Sequence, residues 1–272
     1  MRFEIVTIFP GFFTGFFENG ILRRALAEEL VSVAVHDLRN FTHDRHRTVD
    51  DRPFGGGEGM VLKAEPLAEA LASLGVKPKA EREAGQTGSR VILMSAQGRR
   101  FTQAVARELA KLERVVLICG RYEGVDERIS QLYCDMELSI GDYVLSGGEL
   151  AAAVVVDATM RLIPGVLGNE ASGEFESFGV TDAEITSDTE GVPRSQHGAG
   201  GLLDYPHYTR PAEFGGLRAP EVLMNGDHQE IRRWRREQQL RKTLANRPDL
   251  LEGAALSAED RKLLDAIKRE EP

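Results

Sequence analysis

The first half of the chain alternates short strand-like runs with segments of helical periodicity. Apolar and β-branched residues dominate the strand-like runs at 3–9, 31–38, 90–95, 114–120 and 136–145. Between these runs, apolar residues recur at helical spacing in 14–30 and 64–75, and Thr102 is placed to begin a further helix. Because strands that alternate with helices usually build parallel sheets, the pattern predicts an α/β fold with a mostly parallel sheet.

The chain changes character after residue 168. Residues 169–203 are polar, acidic and rich in glycine, which predicts a flexible linker or lid. Helical patterns return in 204–272, where Asp227 and Glu230 have the spacing of a capping box. We therefore expect a larger α/β domain at 1–168, then the linker, then a small helical domain.

Composition narrows the class of protein. The two cysteines, Cys119 and Cys134, stand in apolar or strand-like runs, which favours buried thiols in a reducing cytoplasm over a disulfide. Residues 1–13 lack the features of a signal peptide, and no apolar run is long enough to span a bilayer, so no membrane partner is expected. The formal net charge of -9 argues against nucleic acid as a partner, although a local basic patch can still bind phosphate.

The glycine-rich turns do not match the common nucleotide-binding fingerprints. GGGEGMVLKAE at 55–65 lacks the Gly-Lys-Ser/Thr ending of a P-loop, and no GxGxxG follows the first strand. Small residues instead follow three later strands, which end at Ser95, Gly120 and Ile140. Ligands of open α/β sheets bind at the carboxyl ends of strands, so these turns form either one pocket of backbone groups or three unrelated turns.

Several longer motifs then occur in a fixed order. They are FTHDRHRTVDDRPFGGGEGM (41–60), ICGRYEGVDERI (118–129), SIGDYVLSGGEL (139–150), RLIPGVLGN (161–169), DYPHYTRP (204–211) and GDHQEIRRWR (226–235). Over nearly its whole length the chain thus closely resembles the bacterial tRNA (guanine-N1-)-methyltransferases, the TrmD family of the SPOUT class. The resemblance implies a deep trefoil knot in the α/β domain and a homodimer with its active site at the subunit interface. It also implies S-adenosylmethionine as methyl donor and, as substrate, the tRNA guanine at position 37, just 3′ of the anticodon.

The resemblance assigns the turns after the three strands to the cofactor. The implied contacts are Ser95, Ala96, Gly120, Tyr122, Glu123, Gly124, Ile140, Gly141, Tyr143, Leu145, Gly147 and Gly148. Glycine suits this role because main-chain groups can approach a ligand where no Cβ intervenes. Ala96 stands where the family commonly has proline, a change that a backbone contact would survive.

Methylation at N1 of guanine needs a base, because that nitrogen carries a proton, and a cation or donor near O6, where negative charge grows. The family places its base, an aspartate, before Ser-Phe, and Glu176 stands there in FESF. Glutamate adds a methylene and changes the reach, so Asp182 stays open as the alternative base. Arg161 is the implied partner of O6, and an (i, i+4) ion pair with Asp157 is the alternative interpretation.

Other implied contacts involve the RNA, the cofactor or the metal. Asp50 is a candidate for substrate contact. Asp204 suits the cofactor's ammonium group or the substrate base, and His207 is either a partner in that site or a hydrogen-bonded loop histidine. The family also implies Mg²⁺ in catalysis, but the sequence shows no dedicated cage for it. HDRHR at 43–47 lacks further ligands at zinc spacing, so we expect no zinc there and interpret it as a loop near RNA phosphates.

The basic run at 232–242 is expected to bind tRNA phosphates, with Arg232 and Arg236 as the chosen contacts. A solvated charged helix face is the alternative. Trp234, the chain's single tryptophan, is expected in the core rather than as a platform for a base.

Two further functions stay open. The altered base at Glu176 suits a catalytically silent RNA-binding relative that keeps the pocket. The third hypothesis is a SPOUT enzyme that methylates another target, such as a ribose 2′-OH. Transfer of labelled methyl to tRNA separates the first two, and nucleoside analysis of the product identifies the third. Residues 179–199 also look inserted relative to the family's usual spacing.

Overall fold

The computed structural model describes residues 1–83, 88–168, 172–181 and 197–270. The chain divides into two compact units, unit 1 at Met1–Gly168 and unit 2 at Asn169–Pro272. Most of the apparent insertion at 179–199, and with it Asp182, lies outside the described residues.

A parallel sheet of five strands forms the centre of unit 1, in the order β2-β1-β6-β5-β7. The strands of this unit are β1 (Arg2–Thr7), β2 (Ser32–Asp37), β3 (Asp50–Asp51), β4 (Val61–Leu62), β5 (Ser89–Arg100), β6 (Arg114–Cys119) and β7 (Met136–Ser139). Strands β3 and β4 form a separate antiparallel pair. The α/β fold with a mostly parallel sheet that the alternation predicted is confirmed.

Helices connect these strands in the order that the periodicity predicted. They are α1 (Thr14–Phe17), α2 (Gly20–Ala27), α3 (Ala64–Ser73), α4 (Gln103–Ala110), α5 (Glu127–Tyr133) and α6 (Glu149–Met160). Short 3-10 helices lie at Pro10–Phe13, Leu38–Phe41 and Lys79–Glu81. The expectation of one helix over 14–30 is wrong, because Asn19 is extended and Gly20 has φ of 63°, which separates α1 from α2. Thr102 does cap α4, since its Oγ1 accepts from the amide of Val105 at 3.4 Å.

The sheet is buried on both faces. Along β6, Val115, Leu117 and Cys119 pack into one apolar cluster with α2, α4 and α6. Val116 and Ile118 point to the other face and pack with α3 and α5. This alternation is the side-chain period of a strand, and burial on both faces is typical of a parallel sheet covered by helices.

Both cysteines are free and buried, as predicted. Burial raises the pKa of the Cys134 thiol to about 12. Burial, together with the nearby Glu149 carboxylate, raises the pKa of Cys119 far above its ordinary range. Neither thiol is therefore poised to act as a nucleophile.

Two strands differ from their predicted extents. Strand β7 ends at Ser139, and Tyr143, which the pattern placed in a strand, is 55% exposed in the following turn. Strand β5 runs past Ser95 to Arg100, because its pairing with β7 resumes after a register shift between Met94 and Arg99. Periodicity could not reveal this shift, since the residues involved include polar and glycine positions.

Unit 2 is built around two longer helices. Its elements are α7 (Ser172–Phe175), β8 (Glu213–Phe214), β9 (Leu217–Arg218), α8 (His228–Asn246), α9 (Asp249–Glu252) and α10 (Ala258–Glu270), with a 3-10 helix at Glu221–Leu223. Asp227 caps α8 by accepting from the amides of Gln229 and Glu230 at 2.8 and 3.1 Å. The Glu230 carboxylate accepts from the Asn225 side chain rather than closing the box. Leu240 of α8 packs on Ile267 of α10.

Candidate active site

A cleft of about 250 Å³ opens in unit 1 beside β5, β6 and β7. It is lined by the turns after β6 and β7 and by the register shift in β5. Every residue assigned to the cofactor lies in this lining: Ser95, Ala96, Gly120, Tyr122, Glu123, Gly124, Ile140, Gly141, Tyr143, Leu145, Gly147 and Gly148. The turns therefore meet in one cleft and are not unrelated.

Main chain packs directly on main chain where the loops after β6 and β7 meet. The amide of Gly148 donates to the carbonyl of Gly120 at 2.9 Å. A Cβ on Gly148 would lie 2.7 Å from the Cα of Cys119, a distance that no side chain can tolerate without backbone movement. Glycine is required here by close approach, which keeps backbone groups in the wall of the cleft.

Tyr122 stands at the rim in an uncommon conformation. Its φ is 60°, in the left-handed region that a bulky residue rarely adopts. Neighbouring bonds hold it there: Gly124 donates to the Arg121 carbonyl at 3.0 Å, and Glu123 donates to the Met60 carbonyl at 3.0 Å. Strain of this kind is retained where the surroundings enforce it, commonly at binding sites.

A buried ion pair, which the sequence motifs did not predict, joins the loops. Glu149, at the start of α6, is 1% exposed. Its carboxylate accepts from the Thr7 hydroxyl at 2.6 Å and from Arg121 Nε at 2.9 Å. Arg121 also donates to the Ser146 carbonyl at 3.0 Å, and its guanidinium lies 4.6 Å above the centre of the Phe9 ring.

This network joins the loops after β1, β6 and β7. A charged residue beside glycines in both CGRYEG and SGGEL was the available signal, because a charge in a buried turn requires a partner. The partner itself could not be identified from sequence spacing, since Arg121 and Glu149 come from different loops.

Asp50 lies in the β3–β4 hairpin, which is bonded to the wall of the cleft. Asp50 is paired with Leu62 in the hairpin. The amide of Leu62 donates to the carbonyl of Gly124 at 3.0 Å, and the amide of Asp126 donates back to Leu62 at 3.0 Å. The structure thus attaches this candidate substrate contact to the loop that carries Tyr122.

Arg161 is half-buried at the C-terminal end of α6. Its amide lies 3.4 Å from the carbonyl of Asp157, and the residue is not part of the lining of the cleft.

In unit 2, the segment that carries Glu176 meets the segment that carries Asp204. Glu176 directly follows α7 and is half-buried. The Ser177 hydroxyl accepts from the amide of Asp204 at 2.9 Å. Asp204 Oδ2 lies 2.9 Å from Nε2 of His207, and the His207 side chain remains largely exposed. The structure brings these candidate residues into one part of unit 2.

The structure of the basic helix α8 contradicts the predicted role of Arg236. Arg236 is 8% exposed, and its guanidinium binds both carboxylate oxygens of Asp260 at 2.6 and 2.9 Å. Its assignment to tRNA phosphates is wrong, because a buried guanidinium held by a carboxylate does not face RNA. Burial opposes ionisation of Asp260, but hydrogen bonds from Arg236 and Ser257 outweigh it and lower the pKa of Asp260. Arg232 donates from Nε to the ring of His197 at 3.1 Å and stays half-buried.

Trp234 is half-buried, with its ring centre 6.3 Å from that of Tyr208, and it is not a member of the apolar clusters. It therefore does not occupy the core position expected for it.

The histidines of the HDRHR loop have separate partners. His43 Nε2 lies 2.9 Å from the Glu69 carboxylate, and the amide of His46 donates to Asp44 at 3.1 Å. Within the part of the chain that the structure describes, no group of three or more His, Cys, Asp or Glu side chains is arranged to hold a metal ion.

Comparison with known proteins gives the site its context. The family model described as tRNA (Guanine-1)-methyltransferase TrmD matches residues 1–253. The chain belongs to this family. It is 57% identical over 268 residues to the tRNA (guanine-N(1)-)-methyltransferase of Koribacter versatilis, a match that covers 98% of each chain. It is 48% identical over 271 residues to the enzyme of that name from Dehalococcoides mccartyi, covering 100% of this chain and 98% of the relative.

Membership in the tRNA (guanine-1)-methyltransferase family confirms the resemblance drawn from the motifs. The match spans the cleft of unit 1 and most of unit 2, including the Glu176 segment and α8. Among the residues that the structure describes, no helix has the length and apolar character needed to cross a membrane.

Proposed function

We propose that the protein transfers the methyl group of S-adenosylmethionine to N1 of the guanine at position 37 of tRNA. The observation that carries this proposal is the cleft, which gathers every cofactor residue of the family pattern in a chain that matches the family over residues 1–253. A silent relative that keeps the pocket would not need a carboxylate at position 176.

The donor set of the cleft fits S-adenosylmethionine. Backbone amides and carbonyls of the loops around Gly120 and Gly148 suit the edge of an adenine, and the Gly148 contact leaves no room for a side chain there. Glu123 adds a carboxylate suited to a cationic ligand. When bound, the donor supplies a methyl group that is already electrophilic.

Side chains of this chain supply the proton chemistry. The Glu176 carboxylate accepts the N1 proton of guanine, and the Arg161 guanidinium donates to O6, where negative charge accumulates. Asp204, whose amide donates to the Ser177 hydroxyl, orients the substrate base or the donor's ammonium group. The exposed guanidinium of Arg233, with Arg232 beside it on α8, is suited to tRNA phosphates.

We also propose that the protein is a homodimer with its active site at the subunit interface. Unit 1 presents an exposed apolar face on the loop and 3-10 helix after β1 and on α6, which pack together. Its exposed members are Phe9, Phe12, Leu150 and Val154. Exposed large apolar side chains on elements that pack together favour an interface there. The cleft is smaller than the roughly 300–1,000 Å³ of most small-molecule sites, which fits a site that a second copy completes.

The remaining elements of the proposal come from family membership. The loops after β5, β6 and β7 would cross to form a trefoil knot, 1–168 would bind the donor, 169–203 would act as a linker or lid, and 204–272 would bind tRNA in the cytoplasm. Mg²⁺ would act through waters and the bound substrates, since it readily keeps its water ligands.

The test is methyl transfer from labelled S-adenosylmethionine to a tRNA transcript with guanine at position 37. We expect 1-methylguanosine in the digested product and no labelling of a matched transcript with adenine at that position. A product methylated on a ribose would establish the alternative SPOUT target. Absence of transfer, with retained tRNA binding, would establish a silent RNA-binding protein.

A further inference from the structure

Hydrogen bonds join the segment that carries Glu176 to a second segment of unit 2, residues 200–204. Phe178 donates to the carbonyl of Leu202 at 2.8 Å, and the Ser177 hydroxyl accepts from the amide of Asp204 at 2.9 Å. Two further bonds continue the pairing, from Gly200 to Val180 at 2.9 Å and from Gly201 to Gly179 at 3.0 Å. These bonds couple the position of the catalytic segment to that of residues 200–204.

Helix α8 holds that second segment at three points close together in sequence. Leu202 is fully buried against Leu240 of α8 and Ile267 of α10. The amide of the next residue, Leu203, donates to the Thr243 hydroxyl at 3.1 Å. The ring of Tyr205 lies 4.8 Å below the guanidinium of Arg235.

Thr243 is fully buried, and its hydroxyl donates in turn to the carbonyl of Gln239 at 2.7 Å. Because its proton is engaged by Gln239, the Thr243 hydroxyl oxygen is left as an acceptor for the Leu203 amide. Leu203 directly precedes Asp204, and Asp204 is bonded to Ser177, the residue next to Glu176. A displacement of the Thr243 hydroxyl would therefore shift Leu203 and Asp204, and through Ser177 it would shift Glu176.

We propose that the inward face of α8 positions the catalytic segment, with Thr243 and Arg235 as positioning residues for the Glu176 carboxylate. The proposal rests on the proposed function, since it assumes that Glu176 is the base. The basic helix then has two faces with different tasks. Its outer arginines, such as Arg233, bind phosphate, and its inner face sets the geometry of proton removal.

The first test compares Thr243→Val, which removes the hydroxyl but keeps the shape, with Thr243→Ser, which keeps the hydroxyl. Small displacements of a catalytic group can cost up to about 100-fold in rate, so we expect Thr243→Val to slow single-turnover methyl transfer at saturating enzyme by about tenfold. Thr243→Ser should restore the rate to within about twofold, since it preserves the hydrogen bond. The dissociation constant for tRNA should be the same for all three proteins, which a loss of folding would not allow.

A second pair of variants tests the proposal even if the Thr243→Val protein does not fold. Arg235→Gln removes the contact with Tyr205, and Arg233→Gln removes a cation from the exposed face of the same helix. We expect Arg235→Gln to lower the single-turnover rate at saturating tRNA and Arg233→Gln to raise the dissociation constant for tRNA.

Two results would overturn the inference. One is a wild-type single-turnover rate in Thr243→Val, and the other is an Arg235→Gln protein that changes tRNA affinity alone, as Arg233→Gln does. If the wild-type protein itself makes no 1-methylguanosine, the proposed function fails instead, so the two failures are distinct.

Discussion

The Glu149→Gln substitution probes how the buried ion pair supports the cleft. The amide keeps the size of the side chain and can still accept from the Thr7 hydroxyl, but it leaves the Arg121 guanidinium without a counter-charge. Glu149 is 1% exposed and Arg121 18% exposed at the side chain, so water compensates little. Removal of one partner of a buried pair costs about 3–5 kcal/mol. Because one retained hydrogen bond offsets part of that loss, we expect about 3 kcal/mol.

The assay is urea unfolding at one fixed protein concentration, since the stability of the proposed dimer would depend on concentration. Calorimetry should also show weaker S-adenosylmethionine binding, because Arg121 and Glu149 join two of the loops that line the cleft. Glu108→Gln is the matched control. Glu108 makes an exposed ion pair with Arg99 at 3.3 Å, and loss of such a pair costs about 0.2–1 kcal/mol. Equal effects of the two substitutions would refute the reasoning.

Three other substitutions test separate parts of the structure. Gly148→Ala places a Cβ 2.7 Å from the Cα of Cys119 and should weaken S-adenosylmethionine binding by tenfold or more, about 1.4 kcal/mol, by calorimetry, whereas Gly253→Ala in unit 2, which meets nothing within 4 Å, should leave it unchanged. Asp260→Asn should lower the unfolding free energy at pH 7 by about 3 kcal/mol while tRNA affinity in filter binding is kept. The pKa of Asp260 is depressed, so its stabilisation is fully present above the ordinary value of 3.8 and is lost as pH falls below it; a gap between wild type and Asp260→Asn that stays constant through that range would contradict the assignment. Val154→Glu puts a charge in the exposed apolar face and should yield monomers in sedimentation velocity, and a dimer of unchanged affinity would remove this face from the interface.

The sequence predicted the sheet well because each strand carries a local signal. The run at 114–120 is apolar at every position except its ends, and the structure buries both faces of β6 accordingly. Local signals also located the helix caps at Thr102 and Asp227, where a polar side chain precedes a helical pattern. By contrast, the extension of β5 depends on its pairing with β7, which no window of sequence contains.

For the candidate site too, some features could be predicted from sequence motifs and others depend on the fold. Family motifs located the lining of the cleft, including the turn at Gly147 and Gly148. Glycine is needed in this turn because other atoms of the protein lie too close for a side chain. The motifs did not show that Arg236 is buried against Asp260, because the two residues lie 24 positions apart and a run of arginines suggests a solvated surface. Arg121 and Glu149 were missed for the same reason, since each finds its partner through the fold.

The central claim, that a carboxylate at position 176 removes the N1 proton of guanine, is tested most directly by single-turnover methyl transfer. Wild type, Glu176→Gln and Glu176→Asp would each be mixed in excess with labelled donor and a transcript carrying guanine at position 37. A general base contributes about 10²–10⁴-fold, so the Gln variant should form 1-methylguanosine at least about 100-fold more slowly, while the Asp variant retains most activity. Formation of 1-methylguanosine by Glu176→Gln at the wild-type rate would contradict the account.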